Sequence, residues 1–201
     1  MEIKEQKRRI YIILFIIIAT CNCLMFFVFN GKEQLHIDEV FSYGLSNSYG
    51  KPFLFIYQIG LGEPDSESRT YKCEPGEEDP FYRDKSNSFY EQWHSGEDFK
   101  KYITVQEGER FKYDNVYNNQ VCDIHPPMYY FLLHTICSFF PDTFSNWYAA
   151  SLNLFLYSLS ILVLFLIGQL VLKSDKKALL AAAVWALSRG GISNAAFFRM
   201  Y

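Results

Sequence analysis

The sequence lacks several motifs that mark common classes of enzyme and secreted protein. It contains no Cys-x-x-Cys pair of the zinc-binding type, no Gly-rich phosphate loop and no nucleotide fingerprint. It also contains no Asn-x-Ser/Thr sequon, the acceptor for N-linked glycans. The chain thus carries none of the usual sequence signs of a structural zinc site or a bound nucleotide, and the missing sequons favour a bacterial cell surface over a eukaryotic lumen.

Basic residues are also too few for a nucleic-acid partner. The chain has 201 residues, with 19 lysines and arginines against 22 aspartates and glutamates, and its net charge is -3. No Lys/Arg-rich face is available to neutralise phosphates in bulk, so nucleic acid is excluded as a partner.

Charge is concentrated in one part of the chain. Residues 31–126 carry 18 of the 22 acidic and 10 of the 19 basic residues, whereas 1–30 and 127–201 are overwhelmingly apolar. The mean hydropathy, which is near zero, therefore averages two unlike parts. This division predicts a membrane protein with one large polar loop rather than a simple soluble domain.

Three apolar stretches predict transmembrane helices at 10–29, 147–172 and 178–201. The first would be about 30 Å long as a helix, which is enough to cross the hydrocarbon core. A cleaved signal peptide is disfavoured because the apolar run is too long and no Ala-x-Ala-like site follows it. The third stretch contains Arg189, whose role the sequence leaves open. It ends without a polar tail, so we expect the N-terminal part of a longer protein.

Charge bias orients these helices. Four basic residues within 1–9 place the N-terminus in the cytoplasm by the positive-inside rule, so 30–146 is expected outside. The apolar segment 127–140 is of the length that is typical of an interfacial helix. An interfacial 127–140 leaves the lysines of 173–177 in the cytoplasm, whereas a crossing there, the alternative, would place them outside.

The predicted fold is therefore an all-α, polytopic membrane protein. It has three transmembrane helices and a large extracytoplasmic loop with interfacial helices. In the interfacial helix, one polar stripe is expected opposite an apolar face, because the polar residues recur at intervals of four: Tyr130, His134 and Ser138.

The five cysteines fall into two groups. Cys21, Cys23 and Cys137 lie in apolar segments and are expected to pack as small hydrophobic residues. Cys73 and Cys122 lie in the predicted outer loop, where a disulfide is chemically allowed, and the sequence leaves their pairing open.

The first cluster of candidate functional residues is His36-Ile37-Asp38-Glu39, just after the first predicted helix. Adjacent carboxylates at a bilayer surface are costly to desolvate unless a cation or hydrogen-bond donors meet them. Because side chains at i and i+1 diverge, the two cannot do the same job. One can act as a general base while the other holds a metal or orients a neighbour. A solvated acidic turn is the alternative.

The second cluster is Asp123-Ile124-His125-Pro126-Pro127. A residue that precedes proline is held in extended backbone, so Asp123 and His125 are expected to project to the same side of the chain. This arrangement suits a chelating or proton-sharing pair. A rigid turn whose Asp and His only satisfy backbone groups is the alternative.

Taken together, these segments resemble a known family. His-Ile-Asp-Glu after a first span, a long outer loop, Asp-Ile-His-Pro-Pro-Met-Tyr-Tyr-Phe-Leu-Leu and a final Arg-Met-Tyr are similar, in this order, to GT-C glycosyltransferases. More narrowly, the chain resembles bacterial family-39-like membrane proteins related to protein O-mannosyltransferases and the aminoarabinose lipid A transferase. One departure is Phe197-Phe198, where relatives often carry Glu-Ala, so no carboxylate role is expected there.

The resemblance implies a glycosyltransferase at the outer face of the bacterial plasma membrane. Its donor would be a sugar linked to polyprenyl phosphate, and its acceptor a glycan, lipid or protein. The resemblance implies that Asp38 is the catalytic base and Glu39 its partner. It also implies that Asp123 and His125 lie near a divalent cation (Mg, Mn or Zn), and that Arg199 binds the lipid phosphate. This part of such an enzyme is expected to be inactive alone.

A membrane-anchored binding or sensor module is the alternative function. Aromatic residues make up 18% of the chain, and sugars stack on the rings of Tyr and Trp. An acidic, aromatic outer loop of this kind could recognise a glycan or a peptide without catalysis.

Thiol labelling of intact cells tests the predicted topology. A membrane-impermeant maleimide should label Cys73, in the predicted outer loop, and should leave a cysteine introduced within 173–177 unlabelled. Labelling of both positions from outside would contradict the predicted orientation.

Overall fold

A computed structural model describes residues 2–49, 95–121 and 125–199. All regular structure within these ranges is helical, which confirms the predicted all-α fold for this part of the chain. The α-helices are α1 Glu2–Asn30, α2 Ile37–Asn47, α3 Gly96–Ile103, α4 Tyr113–Val121, α5 Met128–Ser138, α6 Asn146–Leu172, α7 Asp175–Leu187 and α8 Arg189–Ala196. The described residues also include one 3-10 turn, at Glu107–Glu109.

The chain divides into two compact units, which are described separately. The first unit comprises Met1–Glu39 and Ser145–Tyr201, and the second comprises Val40–Phe144. Cys73 and Cys122, whose pairing the sequence leaves open, both lie outside the described residues.

Two helices of the first unit are long and apolar enough to cross a membrane. Lys4–Asn30 within α1 and Asn146–Leu172, which is α6, each have 27 residues, or about 40 Å of helix. Only 22% of the apolar window of each helix is buried, and large side chains such as Phe15 and Leu170 are exposed. Such exposure is unfavourable in water and favourable in lipid, so the two helices indicate a membrane protein.

The turn that follows α6 is fixed by local hydrogen bonds. The α6 helix ends at Lys173, whose backbone adopts the left-handed conformation (φ 47°) that commonly terminates helices. Across the turn, the Gln169 side chain donates a hydrogen bond to Asp175 Oδ1 (2.9 Å). The short connection lets α6 and α7 pack together as a helical hairpin.

The predicted single helix over 178–201 is wrong, because the chain is interrupted at Ser188. There the backbone is extended (φ -71°, ψ 150°), and the serine hydroxyl caps the next helix by accepting the Gly191 N–H (3.0 Å). A Cβ at Gly191 would lie 2.4 Å from the Trp185 carbonyl oxygen, so only glycine permits this close approach. The segment therefore forms two separate helices, α7 and α8, and residues 197–199 are not helical.

Small residues allow α6 and α7 to approach closely. A Cβ on Gly168 would lie 3.0 Å from both the Cα and the Cβ of Ala178. Ala178, Ala182 and Ala186 are fully buried at intervals of four along α7. The α1 helix packs on the same pair and is joined to α6 by a hydrogen bond from Asn22 Nδ2 to Ser158 Oγ (2.7 Å). Small residues and interhelical hydrogen bonds are the usual means of helix association in lipid.

The described part of the second unit is organised around the C-terminal end of α2. Asn119 of α4 donates a hydrogen bond to the Ser48 carbonyl (2.7 Å), and Asn47 donates one to the Ile103 carbonyl (2.9 Å). These amides satisfy carbonyl groups that the helix ends leave without partners. Gly44 is required at one contact, because a Cβ there would lie 1.9 Å from the ring of Tyr102.

The predicted polar stripe of 127–140 faces inward. The α5 helix, which covers this segment, buries Tyr130, His134 and Ser138, whereas Met128 and Phe139 are 67% and 61% exposed. Burial lowers the pKa of His134, an effect that the Ser46 carbonyl and Asp114 partly oppose, so the ring is held neutral. Large apolar side chains are thus exposed at both ends of the segment, whereas Leu133 and Cys137 are buried together with the polar stripe.

Of the three cysteines expected to pack as small hydrophobic residues, two do so. Cys21 and Cys137 are buried, whereas Cys23 is exposed on α1. Burial raises the pKa of the Cys137 thiol to about 12, a change that its contact with Asn47 only partly offsets. Cys137 is therefore an uncharged packing residue.

Replacement of Gly168 tests the α6–α7 contact. Gly168→Val should lower the midpoint of thermal unfolding in detergent, because overpacking at a close contact costs about 1–3 kcal/mol. Gly190→Val is the matched control, since only Ser188 Oγ, at 3.9 Å, lies near a Cβ at that position. Equal shifts for the two variants would contradict the close packing.

Candidate functional site

The candidate site of the first unit is built from two segments that are distant in sequence. The first segment, 32–39, comprises the connection after α1 and the first turn of α2, and the second, 196–199, begins at the last residue of α8. Both segments are anchored to α6: Asn146 donates a hydrogen bond to the Lys32 carbonyl (3.2 Å), and Asn153 donates to the carbonyls of Ala195 (2.9 Å) and Phe197. The α6 helix thus positions the two segments next to each other.

Glu39 is the buried centre of this arrangement. Its side chain has no exposed surface, and its Oε1 accepts hydrogen bonds from Lys32 Nζ (2.7 Å) and from the Phe198 N–H (2.9 Å). Its Oε2 accepts the His36 N–H (2.8 Å). A carboxylate buried in this way is tolerated only because a cation and backbone donors compensate for its lost hydration.

Lys32 also contacts the aromatic pair that follows α8, Phe197 and Phe198. In addition to its bond with Glu39, its Nζ donates a hydrogen bond to the Ala196 carbonyl (3.2 Å). The same ammonium lies over the rings of Phe198 (4.7 Å to the centroid) and Phe197 (5.4 Å). These are cation–π contacts, favourable where the cation is shielded from water. We call this pair, Lys32 with Glu39, the Lys32–Glu39 clamp.

Asp38 contacts a different cation from the one in the clamp. Its side chain, 33% exposed, contacts Arg199, whose side chain is 20% exposed, through Oδ2 and Nη1. The same oxygen lies 3.2 Å from His36 Nδ1, and the Asp38 N–H donates to that ring nitrogen (3.3 Å). The adjacent carboxylates therefore pair with different cations: the enclosed Glu39 with Lys32, and the partly exposed Asp38 with Arg199.

This geometry combines two chemical groups that are useful to a transfer reaction. A partly exposed carboxylate can take up a proton, and a guanidinium beside it can bind an anion with geometric precision. Sequence reasoning identified Asp38, Glu39 and Arg199 but missed Lys32. Two features of the sequence could have identified Lys32. A desolvated Glu39 needs a cation beside it, and Lys32 is the basic residue nearest to Glu39 after α1.

Only one of the two predicted metal ligands lies within the described residues. Asp123 lies outside the described residues, and His125 is a half-buried residue of the second unit. Across 2–49, 95–121 and 125–199, no group of three or more His, Cys, Asp or Glu side chains is arranged to hold a metal ion. Arg189 is exposed at the first position of α8.

Comparisons with known proteins give no match: no protein-family model fits the chain, and no curated protein or solved structure is significantly similar to it.

A double-mutant cycle tests the clamp. Lys32→Met and Glu39→Ala should each destabilise the first unit by about 3–5 kcal/mol, because each leaves the other charge buried without its partner. The double variant should lose clearly less than the sum of the two, since it removes both charges.

The measurement is unfolding of the protein in detergent, with Glu33→Gln as the control. Glu33 is exposed in the same segment, and its replacement should leave stability nearly unchanged. Additive effects of Lys32→Met and Glu39→Ala would contradict a direct interaction between the two side chains.

Proposed function

We propose that this chain is part of a membrane glycosyltransferase that moves a sugar from a polyprenyl-phosphate donor to an acceptor. The observation that carries the proposal is the contact between Asp38 and Arg199, which are 161 residues apart in sequence. It supplies a base and an anion-binding group at one place, at the end of a helix that is able to cross a membrane. The order of the motifs along the chain, which resembles that of GT-C enzymes, supports the same proposal.

The proposed topology has three crossings of the bacterial plasma membrane. In it, α1 runs outward from a cytoplasmic N-terminus and α6 runs inward. The third crossing consists of α7 and α8 in succession, with lengths of about 20 Å and about 12 Å. Segment 30–146, with α5 in the interface, then lies outside, and the exposed side chains of Met128 at the start of α5 and of Phe139 and Phe140 just after it support this placement.

In the proposed reaction, Asp38 takes the proton of an acceptor hydroxyl. The acceptor oxygen forms a bond with C1 of the sugar while the bond from C1 to the phosphate oxygen breaks. The electron pair of that bond leaves with the polyprenyl phosphate, and Arg199 balances the additional negative charge. A phosphate of this kind leaves without the help of a general acid.

The Asp38–Arg199 contact also sets an order for the substrates. When a donor phosphate binds the guanidinium, it competes with Asp38 for the same N–H groups. The carboxylate is then released towards the acceptor hydroxyl, so the base becomes available only after the donor is in place. The Lys32–Glu39 clamp holds both groups throughout.

A divalent cation (Mg, Mn or Zn) at Asp123 and His125 stays a prediction of the resemblance. Carboxylate and imidazole ligands suit several such ions. The proton transfer and the charge balance described above use only Asp38 and Arg199.

Asp38→Asn and Arg199→Ala in the full-length protein separate the two roles. Asp38→Asn should lower the rate of sugar transfer by about 10²- to 10⁴-fold, the usual contribution of a general base, without weakening binding of the polyprenyl-phosphate donor. Arg199→Ala should reduce transfer and also weaken donor binding by about 10- to 100-fold, as expected for loss of a charge-assisted hydrogen bond.

Transfer is measured with radiolabelled donor, and donor binding with detergent-solubilised protein. Glu33→Gln, a change in the same segment at an exposed position, should alter neither quantity. Near-normal transfer by the Asp38→Asn protein would remove Asp38 as the base.

A further inference from the structure

Two aromatic rings lie together on the surface of the second unit. The rings of Phe111 and Phe139 meet edge to face, with their centroids 5.3 Å apart. Both side chains are exposed, by 40% for Phe111 and by 61% for Phe139. Contact between the two rings joins their exposed surfaces into one small apolar patch. We call this patch the Phe111–Phe139 pair.

The backbone holds one ring of the pair in place at a cost. Phe111 adopts the left-handed conformation (φ 57°), which is unfavourable for a bulky side chain and readily adopted by glycine. Its N–H donates a hydrogen bond to Ser138 Oγ (3.0 Å), and Arg110 Nε donates one to the Ser138 carbonyl (2.9 Å). The turn is therefore fixed against the end of α5. Strained residues of this kind cluster at binding and switch sites.

The covalent chain keeps the pair close to the bilayer. Phe139 lies seven residues before Asn146, the first residue of α6, which is long and apolar enough to cross a membrane. Seven residues span at most about 25 Å, even when fully extended. The α6 helix is about 40 Å long and the hydrocarbon core is about 30 Å thick, so the first turn of α6 lies near the lipid headgroups. The pair is thus within reach of the headgroup region.

Charged side chains flank the ring of Phe111. The guanidinium carbon of Arg110 lies 5.9 Å from the centre of that ring, and Lys112, the next residue along the chain, is exposed. An apolar ring beside long cationic side chains suits the bilayer interface, where acyl chains accept the ring and phosphates meet the cations. Glu107, which contacts Arg110 (3.2 Å), and Glu109 offset these charges, so the apolar contact is the main attraction.

The size of the patch favours lipid over a protein partner. A stable protein–protein interface buries about 800 Å² on each partner. Two aromatic side chains supply at most about 500 Å², even if they are fully buried. A unit that is joined covalently to membrane-crossing helices needs no such area to stay at the bilayer, because the connection keeps its effective concentration there high.

We infer that the Phe111–Phe139 pair inserts into a phospholipid bilayer, between the headgroups and the upper acyl chains, as a membrane anchor of the second unit. The inference goes beyond the proposed topology, which places α5 in the interface, because it adds the turn at 110–112 to the surface that contacts lipid. It depends on the membrane character of the chain and not on sugar transfer.

Photo-cross-linking to lipid tests the anchor. The amino acid p-benzoylphenylalanine, a photoreactive analogue of phenylalanine that bonds to nearby C–H groups, replaces Phe111 or, separately, Phe139 in the full-length protein. Each variant is reconstituted in phosphatidylcholine vesicles and irradiated, and mass spectrometry measures the fraction of protein that gains the mass of one phospholipid. Glu97 is the control position, because it is exposed in the first turn of α3 in the same unit. Phe15, an exposed residue of α1, gives the reference yield for contact with lipid.

The yields at Phe111 and at Phe139 should each exceed the yield at Glu97 by about tenfold or more, because only a side chain within the bilayer has acyl C–H groups in reach. They should approach the yield at Phe15. Elution as a single species in detergent shows that a variant is folded, and if one of the two variants fails this check, the other carries the test.

A yield at Phe111 no higher than that at Glu97 would overturn the assignment, as would cross-linking of Phe111 to a second copy of the chain in place of lipid. The same analogue at Met128 tests the interfacial placement of α5 separately. Lipid adducts at Met128 but not at Phe111 would leave that placement intact and overturn the inserted pair. Adducts at neither position would contradict both.

Discussion

The arrangement of the first unit depends on one buried ion pair, that of Lys32 with Glu39. An uncompensated carboxylate at the position of Glu39 would be strongly unfavourable, because it has no contact with solvent. The groups that compensate it come from both ends of the unit, since the Phe198 N–H is 159 residues away in sequence. Satisfying a single charge therefore fixes the path of the chain after α8.

The neighbouring carboxylate gains its position from this constraint. Asp38 is one residue from a side chain that is held by three donors, so its own backbone has little freedom. Arg199 is likewise one residue from Phe198, whose N–H is fixed on the same glutamate. The two accessible groups are thus supported by a buried shell, as a site that must hold its geometry requires.

Sequence patterns predicted the parts of the fold that depend on long averages. Extended apolar runs predicted the α1 and α6 helices, because a few polar residues within such a run do not change the prediction. The break at Ser188 could not be read in this way, because serines also occur inside the unbroken α6. The sequence near Ser188 differs from that of α6 in the pair Gly190-Gly191. These glycines permit a close approach of the backbone, but that contact exists only in the folded chain and could not be predicted from the sequence.

The candidate site shows the same limit. Desolvation cost demanded a cation near Asp38 and Glu39, but it could not assign Lys32 to one carboxylate and Arg199 to the other. The inward orientation of the polar stripe on α5 depends equally on the neighbouring helices of the second unit, which periodicity does not reveal.

The interruption between α7 and α8 has a consequence for how the helices recognise each other. Ending a helix releases backbone carbonyls from their usual ladder, and in an apolar environment each must find another donor. The carbonyl of Ala186 receives the hydroxyl of Tyr157 from α6, and Cys21 Sγ of α1 approaches it at 4.0 Å. The break after α7 thus provides a directional hydrogen-bonding site. Such a site selects one rotational orientation of α1, α6 and α7, which contacts between apolar surfaces alone would not specify.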